Sequence, residues 1–268
     1  MNATLCPNCN DEIIKNFCSN CGQKKFKRID KKYIWDEIQY TTIHTNKGLL
    51  YTLKNLVVNP GKTARQFIDG CRVNHYKPIL LVFLLSGIST FISIKFLNFS
   101  EILKKQYESQ QMSAEFANEI VHFIASYNSL IMLALVPIFA SFTKIGFFKW
   151  GHNYYEHIVI NAYFLSFYIV LIMIFVYPIM YFVKDNPVLY GQMSQYFMLL
   201  VPILLFWFFC GFYPERSKKS VFWSVLLTLI VTVIGFGIVM TLAVIVGVVM
   251  AMAAGPEALE MFKPKTVK

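Results

Sequence analysis

The chain has 268 residues, of which 56% are hydrophobic, 16% aromatic and only 15% charged; its mean hydropathy is +0.50. This composition excludes an ordinary soluble globule and predicts an all-α membrane protein with several spans. Twenty-five Lys and Arg against 15 Asp and Glu leave a net charge of +10. Beside long apolar runs, that surplus suits a membrane surface with anionic lipid headgroups, and nucleic acid is not the expected partner.

The first element, residues 1–23, is defined by its cysteines. Four of the six lie within the first 21 residues, as Cys6-x2-Cys9 and Cys18-x2-Cys21, with Cys71 and Cys210 alone. Two such knuckles predict a zinc ribbon: each turn points two sulfurs at one centre, and Gly22 supplies the free backbone often needed after a knuckle. Iron in a rubredoxin-like site is the alternative. Four sulfurs close a tetrahedron and leave no place for substrate, so the ion is structural, and a loop this short folds around it. The first 30 residues contain no apolar run of secretory-signal length. That absence, and the need for reduced thiolates, place the amino terminus in the cytosol as an expectation.

Residues 24–32 form a basic linker, with Lys24, Lys25, Lys27, Arg28, Lys31 and Lys32 as candidate lipid or partner contacts. Residues 33–77 are expected to form cytosolic amphipathic helices. A short one runs from Tyr33 to about His44, then Leu49, Leu50, Leu53, Leu56 and Val57 recur at helical spacing. Asn59 caps the next helix, Pro60 occupies its first position, and Ala64, Phe67, Ile68 and Cys71 face away from Lys62, Arg65 and Arg72. Such helices suit the headgroup layer or a small core of their own.

From residue 78 to 254 the sequence predicts a five-span bundle, with apolar runs at about 79–97, 124–143, 158–183, 193–213 and 221–254. The last has 34 residues, about 51 Å as one helix, so it must tilt, project or break near Gly235 and Gly237. With the amino terminus inside, 18 of the 25 cations fall on the cytosolic side, although the margin narrows when only those near span ends are counted. A re-entrant fifth run, returning the polar tail 255–268 to the inside, is the second topology.

No Asp, Glu, Arg or His falls near the middle of any of these runs, which weakens pump and coupled-carrier readings. Ser86, Ser89, Thr90, Ser93, Asn128, Asn161, Thr228 and Thr232 are expected to bond between helices. Pro137, Pro178 and Pro202 interrupt separate spans. Ala243, Gly247, Ala251 and Gly255 form a helix-packing stripe, within one chain or between copies of a homo-oligomer.

Between the second and third runs stand His152, Glu156 and His157. Five residues separate the histidines, offsetting them by about 140° on one helix, and match no zinc-hydrolase signature. Aromatic neighbours suit a membrane interface, so Glu156 and His157 join the lipid or partner contacts and no catalytic residue is assigned.

Taken together, Cys6-x2-Cys9, Cys18-x2-Cys21-Gly22, Asn46-Lys47-Gly48-Leu49-Leu50-Tyr51-Thr52-Leu53, Asn59-Pro60-Gly61-Lys62 and Gly70-Cys71-Arg72-x3-Tyr76-x-Pro78 resemble a bacterial zinc-ribbon membrane family, domain of unknown function three-six-six-seven. The likeness returns at Tyr155-Glu156-His157. Members often carry a basic residue where Cys71 stands and histidines where Tyr163 and Leu165 stand, so any shared histidine site is incomplete here. The resemblance implies a bacterial inner-membrane protein without an established activity. The expectation is therefore a non-enzymatic protein whose ribbon and surface helices dock a protein partner at the cytosolic face. The alternative is a passive channel or small-solute or lipid transporter, with the ribbon as a regulatory or structural module.

Overall fold

The computed structural model describes residues 4–25, 28–34, 48–109 and 114–254. The stretch expected between Tyr33 and His44 falls largely outside the described residues, as do Phe26, Lys27 and the tail with Gly255. The ribbon begins with a hairpin of β1 (Thr4–Leu5) and β2 (Glu12–Ile13), pairing Thr4 with Ile13 and Leu5 with Glu12. Helices α1 (Leu49–Val58) and α2 (Pro60–Ile68) follow. The Asn59 side chain accepts the Lys62 N–H at 3.1 Å and Pro60 opens α2, as the sequence predicts.

Among the described residues, five helices are long and apolar enough to cross a membrane: Pro78–Phe96, Asn118–Gly146, Tyr154–Val183, Pro187–Phe212 and Lys218–Val246. They are built from α3 (Pro78–Leu97), α5 (Ala114–Gly146), α6 (Tyr154–Leu171) continuing into α7 (Tyr177–Val183), α8 (Pro187–Met198) with α9 (Val201–Phe212), and α10 (Lys218–Ala254). A short helix, α4 (Phe99–Ser109), joins the first two spans.

Each span proline has a local consequence. A π-helical turn, Ile172–Val176, precedes Pro178, widening the helix where the missing donor and the ring would otherwise conflict with the preceding turn. The fourth span breaks at Leu199 and Leu200, so Pro202 lies in the first turn of α9 and not in a helix interior. Pro137 stays inside α5, where its carbonyl accepts from Ser141 Oγ and Tyr154 Oη, each at 3.1 Å. Of the outcomes expected for the fifth run, the break is the one not found: α10 is one continuous helix of 37 residues, about 55 Å long, with no interruption at Gly235 or Gly237. A Cβ on Gly235 would lie 2.6 Å from the Phe142 ring, so this glycine admits α5.

The third span is the axis of the bundle: 61% of its apolar window is buried, against at most 28% in the others. It packs on α3, α5, α2 and α1. The polar residues divide into two groups. Asn128 Nδ2 donates to Thr90 Oγ1 at 2.6 Å and Ser89 Oγ meets Tyr177 Oη at 2.6 Å, both between helices. Ser86, Ser93, Thr228 and Thr232 instead donate to carbonyls of their own helix.

Helix α2 is not a surface element, whereas α1 buries only Thr52 and Leu56 and leaves Leu50 and Val58 exposed. Six of nine residues in α2 are buried, and α2 lies against α6 and α9. Phe67 and Ala64 share one apolar core with Leu56, Tyr163 and Phe208, and Ile29 of the basic linker joins it at 1% exposure. Ala64, Phe67 and Ile68 of the apolar stripe seen in the sequence are buried because α2 reaches the bundle closely enough to be covered, whereas Cys71 lies beyond the helix end and turns to Pro7.

Candidate metal centre and its seat

The two knuckles are near copies. In the first, Asn10 N–H donates to the Cys6 carbonyl at 2.8 Å and Cys6 N–H to Asp11; in the second, Gly22 N–H donates to Cys18 at 3.0 Å and Cys18 N–H to Gln23. Each turn closes on a left-handed residue, Asn10 (φ +61°) and Gly22 (φ +72°). Glycine and asparagine are the residues that adopt this conformation most readily, which explains both positions.

The four sulfurs converge, all within 4.8 Å of one another. Cys6 Sγ lies 3.6 Å from Cys21 Sγ and Cys9 Sγ 3.5 Å from Cys18 Sγ. Ligands at about 2.3 Å around a tetrahedral ion stand about 3.8 Å apart, so the set fits a metal ion. Cys6 and Cys18 are buried, with Ile13 beside them as the small core. Hydrogen bonding from the Asn8 side chain, the largest influence, helps lower the Cys21 thiol to about 6. At Cys9 the Asp11 backbone favours the thiolate, but desolvation and the three neighbouring sulfurs outweigh it and push the thiol up to about 12. A divalent cation resolves this competition by neutralising the crowded charge. Among the described residues, no other place gathers three or more such ligands.

The ribbon is seated on the loop between α2 and α3. Gln23, 2% exposed, accepts the N–H groups of Arg72 and Val73 on Oε1, both at 3.0 Å. The Cys71 thiol donates to the Pro7 carbonyl at 2.6 Å, and Asn74 Nδ2 donates to Asn8 Oδ1 at 3.2 Å. Burial raises the Cys71 thiol, with the charge of Asp69 and then of the ribbon's Cys6 and Cys21 adding to it. The sequence motif around Gly70, Cys71 and Arg72 is thus a receiving surface. Sequence reasoning missed Asn8, Gln23 and Asn74, because a polar residue in a short loop carries no pattern that names a distant partner.

The linker does not drift in solvent. Lys24, Lys25, Lys31 and Lys32 are exposed, but Arg28 crosses to the third span: Nε donates to Glu156 Oε1 at 2.9 Å and Nη2 to Glu156 Oε2 at 3.1 Å and to the Gly151 carbonyl at 2.8 Å. This pairing raises the Arg28 pKa further. Glu156 also completes a capping box with Asn153, accepting its N–H at 2.7 Å while Asn153 Oδ1 accepts the Glu156 N–H at 2.9 Å. Sequence reasoning did not pick out Asn153-x-x-Glu156, although its spacing is that of a capping box.

Glu156 and His157 therefore need correction as lipid or partner contacts: they are 5% and 0% exposed. The first turn of α6 enters the core between α2 and α5, which a linear interfacial pattern does not reveal. Thr143 Oγ1 donates to the Phe139 carbonyl at 3.0 Å and accepts from Asn161 Nδ2 at 2.7 Å. With that hydroxyl proton committed, His157 Nδ1–H donates to Thr143 at 3.0 Å, leaving buried Nε2 as a lone pair without a partner. His152 precedes the helix, its ring perpendicular to that of His157 at 6.4 Å, and its Nδ1 meets Tyr213 Oη at 3.1 Å. Burial lowers the His152 pKa. Of the proposed packing stripe, Ala243, Gly247 and Ala251 lie along α10, but their side chains, and all of Gly255, are outside the described residues.

Residues 46–90 match the family model described as "Protein of unknown function (DUF3667)". The DUF3667 match spans α1, α2, the receiving loop and the first turns of α3, and the resemblance read from Gly48, Asn59-Pro60-Gly61 and Gly70-Cys71-Arg72 is borne out there. The DUF3667 segment holds the groups that grip the ribbon, while the four cysteines precede it. No curated protein and no solved structure matches the chain.

Proposed function

We propose that this chain is a non-enzymatic scaffold or accessory subunit of a bacterial inner-membrane complex, with a structural zinc ion in a cytosolic ribbon that docks a protein partner onto the five-span bundle. The observation that carries this reading is the ribbon's outer surface. Leu5, Ile14 and Phe17 are 64%, 85% and 58% exposed on a unit too small to waste apolar area. The second knuckle hairpin, residues 14–25, adds exposed Lys15, Lys24 and Lys25 and contains no acidic residue. Ile14 and Phe17 among these cations suit an acidic protein surface, while Leu5 is paired with exposed Glu12 of the first hairpin. Lys31 and Lys32 supply attraction to anionic headgroups beside it. Zinc is preferred over iron because two short Cys-x2-Cys knuckles closing four thiolates on one centre form its usual structural site.

The test is crosslinking in native membranes followed by mass spectrometry of the captured neighbours. One stoichiometric partner, lost from an Ile14→Ser, Phe17→Ser variant that still binds metal and lost again from Cys6→Ser, Cys9→Ser, is the expected result. No dominant neighbour would defeat docking.

A second reading, passive passage of a small solute or lipid, has one observation in its favour. A cleft of about 280 Å³ lies between α4 and α8, where Tyr190, Ser194 and Gln195 interrupt a lining of Phe99, Ile102 and Met198. Solute flux in purified vesicles that survives loss of the ribbon would favour it.

A further inference from the structure

Cations gather where the second, fourth and fifth spans meet. Trp150 stands edge-on to Tyr213 at 4.5 Å and Phe147 stacks on the same ring at 5.5 Å, so the turn at residues 147–150 and the loop after α9 lie side by side. From that loop the Arg216 guanidinium covers Trp150 at 5.4 Å, while Lys149 lies over Phe148 at 5.3 Å. Lys218 and Lys219 open α10. All four cations are exposed, and among the described residues none of them meets a carboxylate. The acids nearby are already taken, Glu215 and Asp69 by Arg65 and Glu156 by Arg28. No Asp or Glu occurs at 143–152 or 216–254. An apolar ridge continues from these cations along α10. Lys219, Trp223, Leu227, Ile230 and Ile234 follow at intervals of four, four, three and four residues and so share one face of the helix; the four apolar members are exposed. Other faces are occupied: Gly146 of α5 lies against Ser224 and Thr228, and Phe222 meets Phe206 of α9 at 6.2 Å.

We propose that this surface is a site for one anionic phospholipid, its phosphate held among Lys149, Arg216, Lys218 and Lys219 and an acyl chain laid along Trp223, Leu227 and Ile230. Hydrocarbon alone covers the ridge but leaves four like charges crowded at the end of the spans, where a headgroup phosphate brings the missing counter-charge. Long lysine stems let the ammonium groups reach that level while their methylenes stay against apolar surface, and Trp150 and Trp223 suit the same boundary. A net negative headgroup is selected over a zwitterionic one, because the latter carries its own cation into the cluster. A soluble acidic protein would meet the charges but not a ridge on the outer face of a spanning helix, and this commits the site to lipid. The site rests on the helices spanning a bilayer and stands independently of the ribbon's docking role.

The test uses full-length protein in nanodiscs of phosphatidylcholine with phosphatidylglycerol as the minor component. Native mass spectrometry is expected to count one phosphatidylglycerol retained per chain under conditions that strip phosphatidylcholine. Lys149→Gln, Lys218→Gln and Lys219→Gln together are expected to lower that retention at least about tenfold, whereas Lys104→Gln, Lys105→Gln on α4 leaves it unchanged. Phosphatidylglycerol with brominated chains is expected to quench tryptophan fluorescence more than brominated phosphatidylcholine at equal content, with the excess reduced in Trp223→Phe. Equal retention of the two lipids would overturn the site, as would an excess of quenching that Trp223→Phe leaves intact. An equal loss in the Lys104→Gln, Lys105→Gln protein would reduce the effect to overall charge and overturn it as well. So would a lipid-free dimer that separates in the three-lysine variant, which would give the surface to a second copy. Lipid retained by Ile14→Ser, Phe17→Ser protein that has lost its neighbour keeps this result distinct from the docking test.

Discussion

Gly61 lies with its backbone directly against that of α9: a Cβ there would collide with the Phe208 carbonyl and come within 2.7 Å of the Gly211 carbonyl carbon. Neither obstacle is a flexible side chain, so α2 cannot yield without leaving its groove. Gly61→Ala is expected to destabilise the protein by about 1–3 kcal/mol, seen as a lower unfolding temperature in detergent. Gly237→Ala is the control, since a Cβ at Gly237 meets nothing within 4 Å. An unchanged Gly61→Ala protein would mean that α2 is not packed this way.

His75 is the clearest pH-sensitive group outside the spans. It is 6% exposed, edge-on to Tyr51 at 5.3 Å and to Phe67 at 6.2 Å, with no well-formed hydrogen bond to either ring nitrogen. Burial lowers its pKa, offset only in part by the Cys71 backbone. The unfolded chain takes up a proton near pH 6.5 while the folded chain resists it, so stability is intact above that pH and falls as the pH drops below it. His75→Phe is expected to remove this part of the acid sensitivity and to gain about 1–2 kcal/mol at neutral pH. Thermal melts at pH 7.5 and 5.5 check both statements.

Thr143 serves two buried partners at once, His157 and Asn161. Thr143→Val keeps the shape but strands His157 Nδ1 and leaves Asn161 Nδ2 only its bond to the His157 carbonyl, and is expected to cost about 1–3 kcal/mol. Thr143→Ser keeps the hydroxyl and is expected to recover most of it. Equal melting of the two variants would show that the hydroxyl contributes nothing.

Metal analysis is expected to find one ion per chain, lost in Cys9→Ser and retained in Cys71→Ser and Cys210→Ser. Cys71 donates to Pro7, and Cys210 stands apart on α9. Substitution with Co²⁺ and the resulting thiolate absorption reads the four-sulfur geometry directly. Loss of the ion in Cys71→Ser would move this cysteine into the ligand set.

Much of the fold was legible because its signals are local. Five apolar runs, each of spanning length, needed no knowledge of neighbours, and Asn59-Pro60 marked a helix start by chemistry confined to one turn. Two Cys-x2-Cys knuckles announced a closed metal site because a tight turn fixes the direction of both sulfurs. Glu156 and His157 were harder. An aromatic, polar stretch beside a span looks the same whether it meets headgroups or turns into the protein, and only the position of α2 and α5 decides between them.

The amino-acid sequence by itself determined the number of spans, the four-sulfur centre and the cap of α2, since each depends on residues close to one another in the chain. Only the tertiary structure decided that the ribbon sits on the Cys71–Asn74 loop, that Arg28 reaches Glu156 across 128 residues, and that α2 is inside the protein. Those contacts join surfaces brought together by the packing of whole helices, and no local pattern in the chain encodes which distant backbone a glutamine or an arginine will meet.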